Sequence, residues 1–191
     1  MTGPSIEYRF HVDEFGYLVH DHYGLPLGHF TPVEDPVPTG WGTPIAEKQR
    51  EFPDNGRGDF RLPAVHVRHG SGSTVTHFKY ADHSIKAGKP ALEGLPATFG
   101  DPLQVSTLII RLADEVTAVQ AELYYSIFPA HNAIVRSFRI TNNNHATIEL
   151  QRAASFSVDF PGDEWDFLRL CGDWGREMQR ERSRVSKGNQ G

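Results

Sequence analysis

Apolar and polar positions alternate with a period of two along most of the chain, the signature of strands that bury one face. Ile6, Tyr8, Phe10 and Val12 open the pattern. It returns in Val65 and Val67, in Thr76, Phe78 and Tyr80, in Leu108, Ile110 and Leu112, and in Val119, Ala121, Leu123, Tyr125 and Ile127. Residues 129–132 (PAHN) read as a turn, after which come Ile134, Phe138 and Ile140. Asn142, Asn143 and Asn144 mark a second turn, followed by Ile148, Leu150, Ala154, Phe156 and Val158. No long window carries a helical stripe. The pattern predicts an all-β sandwich with a meander at its centre.

Two segments interrupt the alternation. Residues 24–63 hold Pro26, Pro32, Pro36, Pro38, Pro44, Pro53 and Pro63, seven of the chain's 13 prolines. That density excludes regular helix and confines strands to edges. A connection so long inside a compact domain tends to be functional or flexible, which makes it the candidate site loop. Residues 88–102 are similar on a smaller scale, with Gly88, Gly94 and Gly100 among Pro90, Pro96 and Pro102. Residues 173–187 are rich in Arg and Glu and fit a charged strand pair or a short helix equally well; the turn-like residues 187–191 follow.

A chain of 191 residues, 38% hydrophobic and 23% charged, can bury a self-sufficient core. Its net charge of -5 offers no general attraction to phosphate backbones or anionic lipid, so neither nucleic acid nor membrane is an expected partner. Cys171 is the single cysteine; it can form no intrachain disulfide, and its apolar neighbours predict a small core residue. The first eight residues lack the basic start and apolar run of a signal peptide. No window has the length of a membrane-spanning helix and no Asn-x-Ser/Thr sequon occurs, so the expected compartment is the cytoplasm, with a secreted parent left open.

Ten histidines raise the question of a metal. His20 and His22, two apart on a strand, share a face, and His66 and His69 are the other close pair, but no third ligand stands at a diagnostic spacing. No metal or organic cofactor is expected. A GxSxG motif is absent, Cys171 has no neighbouring His, and the glycines and serines of residues 70–73 read as a polar hairpin turn rather than a phosphate loop. The Arg-Gly-Asp tripeptide at 57–59 is too short to carry meaning. Arg176, Arg180, Arg182, Arg184 and Lys187 interleave with Glu177 and Glu181 as on a solvated face. Residues 52–61 (FPDNGRGDFR) remain, where charges alternate with glycines and aromatics. Carboxylate and guanidinium groups beside a ring suit sugar hydroxyls and a C–H face, whereas an internal Asp59–Arg61 pair that merely ties down the loop explains the same residues.

Here the sequence resembles the N-terminal region of family 36 glycoside hydrolases, the α-galactosidases. The resemblance runs in order through residues 17–24 (YLVHDHYG), 56–61 (GRGDFR), 80–95 (YADHSIKAGKPALEGL), 123–142 (LYYSIFPAHNAIVRSFRITN), 154–161 (ASFSVDFP) and 170–177 (LCGDWGRE). It implies a β-supersandwich spanning residues 1–191, incomplete at its C-terminal end, that in the family precedes a catalytic (β/α)8 barrel and a small β domain. Retaining hydrolysis uses two carboxyl groups roughly 5 Å apart. In the family both are barrel aspartates, the nucleophile lying in a Lys-x-Asp-x-Asn stretch that none of Lys48, Lys79, Lys86, Lys89 and Lys187 begins. The chain alone is therefore expected to be inactive, with no catalytic residue. Its parent is expected to be a homo-oligomer that hydrolyses terminal α-galactosyl residues of oligosaccharides. Relatives also imply that a loop of this domain reaches a neighbouring subunit's active site, with Asp59 and Arg61 as substrate-binding candidates. A free carbohydrate-binding β-sandwich and an oligomerisation module are the alternatives.

Overall fold

The computed structural model describes residues 1–29, 31, 48–56, 58–94, 97–154, 156–159 and 164–186. Of the proline-rich loop, Pro32, Pro36, Pro38 and Pro44 lie outside the described residues, as do Arg57, Pro96 and Lys187. Ten β-strands and one short 3-10 turn make up the regular structure of the described residues, without an α-helix among them. The chain forms two compact units, residues 1–158 and 159–191.

In the larger unit, β1 (Glu7–Val12) and β2 (Leu18–Gly24) form an antiparallel ribbon. Its turn is tied by Asp13, whose Oδ1 accepts the backbone N–H groups of Phe15 and Tyr17. The strands β4 (Lys79–Ala87), β5 (Ser106–Asp114), β6 (Val119–Phe128) and β7 (Ala133–Asn142) make a four-stranded antiparallel sheet in chain order. A third pair joins β3 (Val65–Arg68) to β8 (Glu149–Ala153). Asp114 closes the β5–β6 hairpin: Oδ1 accepts from the N–H groups of Val116 and Thr117 while Oδ2 accepts from that of His77. Burial opposes ionisation of this carboxyl, yet those donors and the Thr117 hydroxyl hold its pKa below the ordinary value.

The period-two pattern sorts the sheet into two faces. Ile110, Leu123 and Phe138 stand in one cross-strand row on the inner face, with Leu112, Ala121 and Tyr125 beside them. Tyr8 and Leu18 of the ribbon, Phe52, and Val65 and Val67 of β3 pack on this face to complete the core. The outer face carries an alternating charge row, Asp82, Arg111, Glu122 and Arg139, one residue from each strand. Arg111 pairs with Asp82, and Arg139 lies 3.8 Å from Glu122. Such a row suits a solvated surface.

Several expectations need correction. Thr76 and Phe78 are buried as their alternation predicts, but they precede β4 and their backbone N–H groups bond to Asn55 and the Asp54 carboxylate instead of a strand. Phe156 and Val158 likewise lie beyond the end of β8. In the smaller unit, β9 (Asp166–Cys171) and β10 (Gln179–Arg184) form a hairpin, so residues 173–187 hold neither a helix nor a strand pair of their own among the described residues but one strand, whose partner lies upstream. Cys171 is exposed, not a core residue; its Sγ lies 3.3 Å from a Glu181 oxygen across the hairpin. Apolar sequence neighbours did not bury it because, among the described residues, its strand pairs on one edge only, with polar Gln179 opposite.

Candidate functional site

The loop that the sequence singles out returns to the core through residues 48–61. Its first part adds to the edge of β2: the N–H of His20 donates to Gln49 O, that of Glu51 donates to Leu18 O, and Arg50 bridges Val19. The chain then passes over the core at Phe52 and turns at Gly56, where an isolated bridge links Gly56 to Asp59. Gly56 has φ +94°, a conformation costly for any other residue, and an added Cβ would meet Val75 Cγ1 at 2.9 Å.

Five ionisable residues of this short stretch are buried: Lys48, Arg50, Glu51, Asp54 and Asp59. Charged side chains are rarely buried without partners, and each of these has one. Lys48 Nζ stands 2.6 Å from Asp13 Oδ2. Arg50 Nη1 donates to Asp54 Oδ1 at 2.7 Å and lies 3.7 Å from Asp59 Oδ2, while its guanidinium covers the Tyr17 ring. Asp54 Oδ2 accepts the N–H of Phe78.

Glu51 is the centre of a second cluster. Its carboxylate accepts from the hydroxyls of Tyr8 and Tyr125 at 2.7–2.8 Å, and Arg136 Nη2 lies 2.6 Å from Oε1. His20 Nδ1 is 3.4 Å from Oε2. Burial and then the Glu51 charge push both tyrosine hydroxyls well above their ordinary pKa. Burial alone would depress the Arg136 pKa, but the Glu51 charge together with Tyr125 and Tyr8 more than offsets it, and the cation is held. The Arg136 guanidinium also sits over the rings of Tyr8, Tyr125 and Phe156. These contacts clamp loop, ribbon and sheet together.

At the tip, Asp59 and Arg61 meet as the internal pair foreseen from their spacing. Arg61 Nε donates to Asp59 Oδ1 at 3.0 Å, Nη2 donates to Oδ2 at 2.9 Å, and the Arg61 backbone N–H also reaches Oδ1. The Asp59 side chain is only 1% exposed and that of Arg61 29%. Between them Phe60 is 90% exposed. The sequence had placed an aromatic in this loop without nominating Phe60.

The histidine pairs do not converge. His20 faces Glu51, whereas His22 Nε2 lies 2.9 Å from Leu25 O, and a register shift in the ribbon falls between their partners. His69 Nε2 contacts the Thr76 hydroxyl. Among the described residues no three His, Cys, Asp or Glu side chains group as metal ligands, and no helix is long and apolar enough to cross a membrane. A separate groove of about 560 Å³ lies along β1, β4, β5 and β6, lined mainly by apolar groups such as Phe10, Ile85, Leu108 and Ile127. Its polar members are His11, Tyr80, His83 and Ser106, with the Tyr80 hydroxyl 2.8 Å from His83 Nδ1.

Residues 16–191 match the family described as "Glycosyl hydrolase family 36 N-terminal domain". The chain is 49% identical over its whole length to Alpha-galactosidase 2 of Hypocrea jecorina, of which it covers 26%. It is 36% identical to Alpha-galactosidase AgaA of Geobacillus stearothermophilus, with 92% of this chain and 26% of that protein aligned. The crystal structure of AgaA superposes with a TM-score of 0.88 at 33% identity, over 98% of this chain and 28% of the other. Variants of AgaA have been solved with raffinose and with stachyose. The chain thus spans about a quarter of the length of these relatives. The family match over residues 16–191, together with 49% identity over the whole chain and the shared sandwich architecture, makes the chain a member of glycosyl hydrolase family 36, whose N-terminal domain it carries.

Proposed function

We propose that the chain is the non-catalytic N-terminal part of a longer α-galactosidase, a homo-oligomer that removes terminal α-D-galactosyl residues from oligosaccharides such as raffinose with retention of configuration. The observation that carries this reading is identity along the whole chain to α-galactosidases roughly four times its length. Supporting the non-catalytic role, the buried carboxylates Glu51, Asp54 and Asp59 are each committed to an internal cation, so none is placed as a general acid or nucleophile. In this reading the loop at 56–61 meets substrate, with Asp59 fixing the Arg61 guanidinium that makes the contact.

The test compares residues 1–191 alone with the longer enzyme on 4-nitrophenyl α-galactoside, following the anomer formed by NMR. Turnover with retained configuration by the longer enzyme, and none by residues 1–191, is the expected result. Turnover by the short chain, or inversion by the long one, overturns the reading. Kinetics and oligomer mass measured on one Asp59→Ala preparation address the loop: a raised KM in an intact assembly supports substrate contact, and unchanged kinetics removes it.

A further inference from the structure

Asn55 and Gly56 form the only Asn-Gly pair in the chain, and the turn uses both residues. Gly56 is held to glycine by its φ of +94° and by Val75, whose Cγ1, Cγ2 and Cα would stand 2.9, 3.0 and 3.2 Å from an added Cβ. Asn55 braces the turn against the returning chain. Its Nδ2 donates to Thr74 O at 3.0 Å and to the Thr74 hydroxyl at 3.2 Å, and its backbone carbonyl accepts the N–H of Thr76 at 3.1 Å. Asparagine followed by glycine is chemically labile, because no side chain shields the next backbone nitrogen from the carboxamide carbon. The geometry that demands glycine at 56 therefore sets a labile pair beside the buried carboxylate of Asp54.

We propose that Asn55 is a deamidation site, locked while Thr74 holds its carboxamide and opened by local unfolding of the turn, and that its conversion to a carboxylate detaches the turn from residues 74–76. In the first step the Gly56 nitrogen gives its proton to water and bonds to Asn55 Cγ; the Cγ–Nδ2 bond breaks and Nδ2 leaves as ammonia. Water then opens the five-membered imide at one of its two carbonyls, leaving aspartate or the isomer whose main chain runs through Cγ. Water is the one co-reactant, and nothing is oxidised or reduced. The atom that leaves is the atom Thr74 holds, so reaction waits until both of those hydrogen bonds open. The product cannot restore the brace. A carboxylate only accepts, and here it would face the Thr74 carbonyl, another acceptor, with the Thr74 hydroxyl as its one remaining donor there. It would also stand one residue from Asp54, whose cation Arg50, 2.7 Å away, is already shared with Asp59 at 3.7 Å. The inference goes beyond the α-galactosidase reading and does not depend on it.

The experiment holds the 191-residue chain at mildly alkaline pH, with and without guanidinium chloride, and follows the amide-to-acid mass gain at residue 55 by peptide mapping, with aspartate and isoaspartate resolved by chromatography. Conversion should run at least about 30-fold faster in denaturant. Thr74→Val, which removes the hydroxyl contact alone, should speed the folded-state reaction about 3-fold, leaving the denatured rate and the amide protection of β6 unchanged. Equal rates with and without denaturant overturn the lock, and no conversion at residue 55 even in denaturant overturns the site. A folded-state rate unmoved by Thr74→Val, or a rise matched by faster exchange in β6, overturns the role of Thr74. The consequence is read on Asn55→Asp, in which the N–H groups of Thr76 and Phe78 should exchange about 10-fold faster while those of β6 keep their protection. Unchanged exchange at Thr76 and Phe78 overturns the detachment, and so does an equal acceleration in β6.

Discussion

Glu51 shows how much of this domain rests on a few buried ions. Its carboxylate receives two tyrosine hydroxyls and the Arg136 guanidinium, whose side chain is 10% exposed. Glu51→Gln keeps the shape and removes the charge, leaving the cation unpaired. That variant should lose about 3 kcal/mol of stability by urea unfolding, and adding Arg136→Met should return about half of the loss or more, because the stranded charge is then gone. A double variant no more stable than the single one would show that the network matters for its hydrogen bonds alone. Glu7 gives a pH dependence. Hydrogen bonds from the Arg9 side chain and from the Leu27 backbone N–H lower its pKa from 4.5 to about 2. A pKa depressed in the folded state stabilises above the unfolded value and is lost as pH falls through the folded one. Stability should therefore decline between pH 4.5 and about 2, and Glu7→Gln should flatten that part of the profile. Local pairings of this kind were partly legible: Asp59 and Arg61, two residues apart, were recognised from spacing. The Glu51 cluster was not, since its partners Tyr8, Tyr125 and Arg136 lie 43, 74 and 85 residues away and no local pattern joins them.

At the scale of elements, alternation located β3, β5 and β6 because each has a buried and a less buried face, and it also found β1 and β7, whose burial does not alternate so cleanly. It misplaced the start of β4, an edge strand exposed along most of its length, whereas the alternating Thr76 and Phe78 bury their side chains beside a loop. Burial period and strand hydrogen bonding are separate properties, and they part company where a loop supplies the acceptors. The candidate loop itself was found from proline density, but its short addition to β2 at residues 48–51 carries no strand signal. The turn at Gly56 allows a graded test. Gly56 and Gly72 both have positive φ, +94° and +87°, yet a Cβ meets Val75 at 2.9 Å at the first and nothing within 4 Å at the second. Gly72→Ala should cost about 1 kcal/mol for the backbone conformation, and Gly56→Ala more than that because the clash adds to it. Urea midpoints of the two variants give the order directly, and equal costs would mean that the backbone at Gly56 yields freely.

The whole molecule divides into a unit with a core and a unit without one of comparable depth. Residues 1–158 bury aromatic and aliphatic side chains from three sheets around Leu123 and Tyr125. Among the described residues of 159–191 the β9–β10 hairpin supplies two strands; Leu168, Leu170 and Met178 are largely exposed, and Trp174 at its turn is 94% exposed. Two strands alone are marginal in water, whatever their charges contribute, and the ion pairs Arg169–Glu181 and Arg182–Asp166 are exposed ones of small worth. Amide hydrogens of β9 and β10 should then exchange roughly 100-fold faster than those of β5 and β6, which exchange only when the central sheet opens. The functional reading depends on that contrast. A loop clamped to the well-protected unit keeps its geometry while the hairpin opens and closes, so the Asp59–Arg61 pair should survive conditions that already expose the hairpin amides. Exchange measured by mass spectrometry on the 191-residue chain separates the cases: equal protection of β10 and β6 would show that the hairpin belongs to the same cooperative unit, and the loop would then have no independent platform.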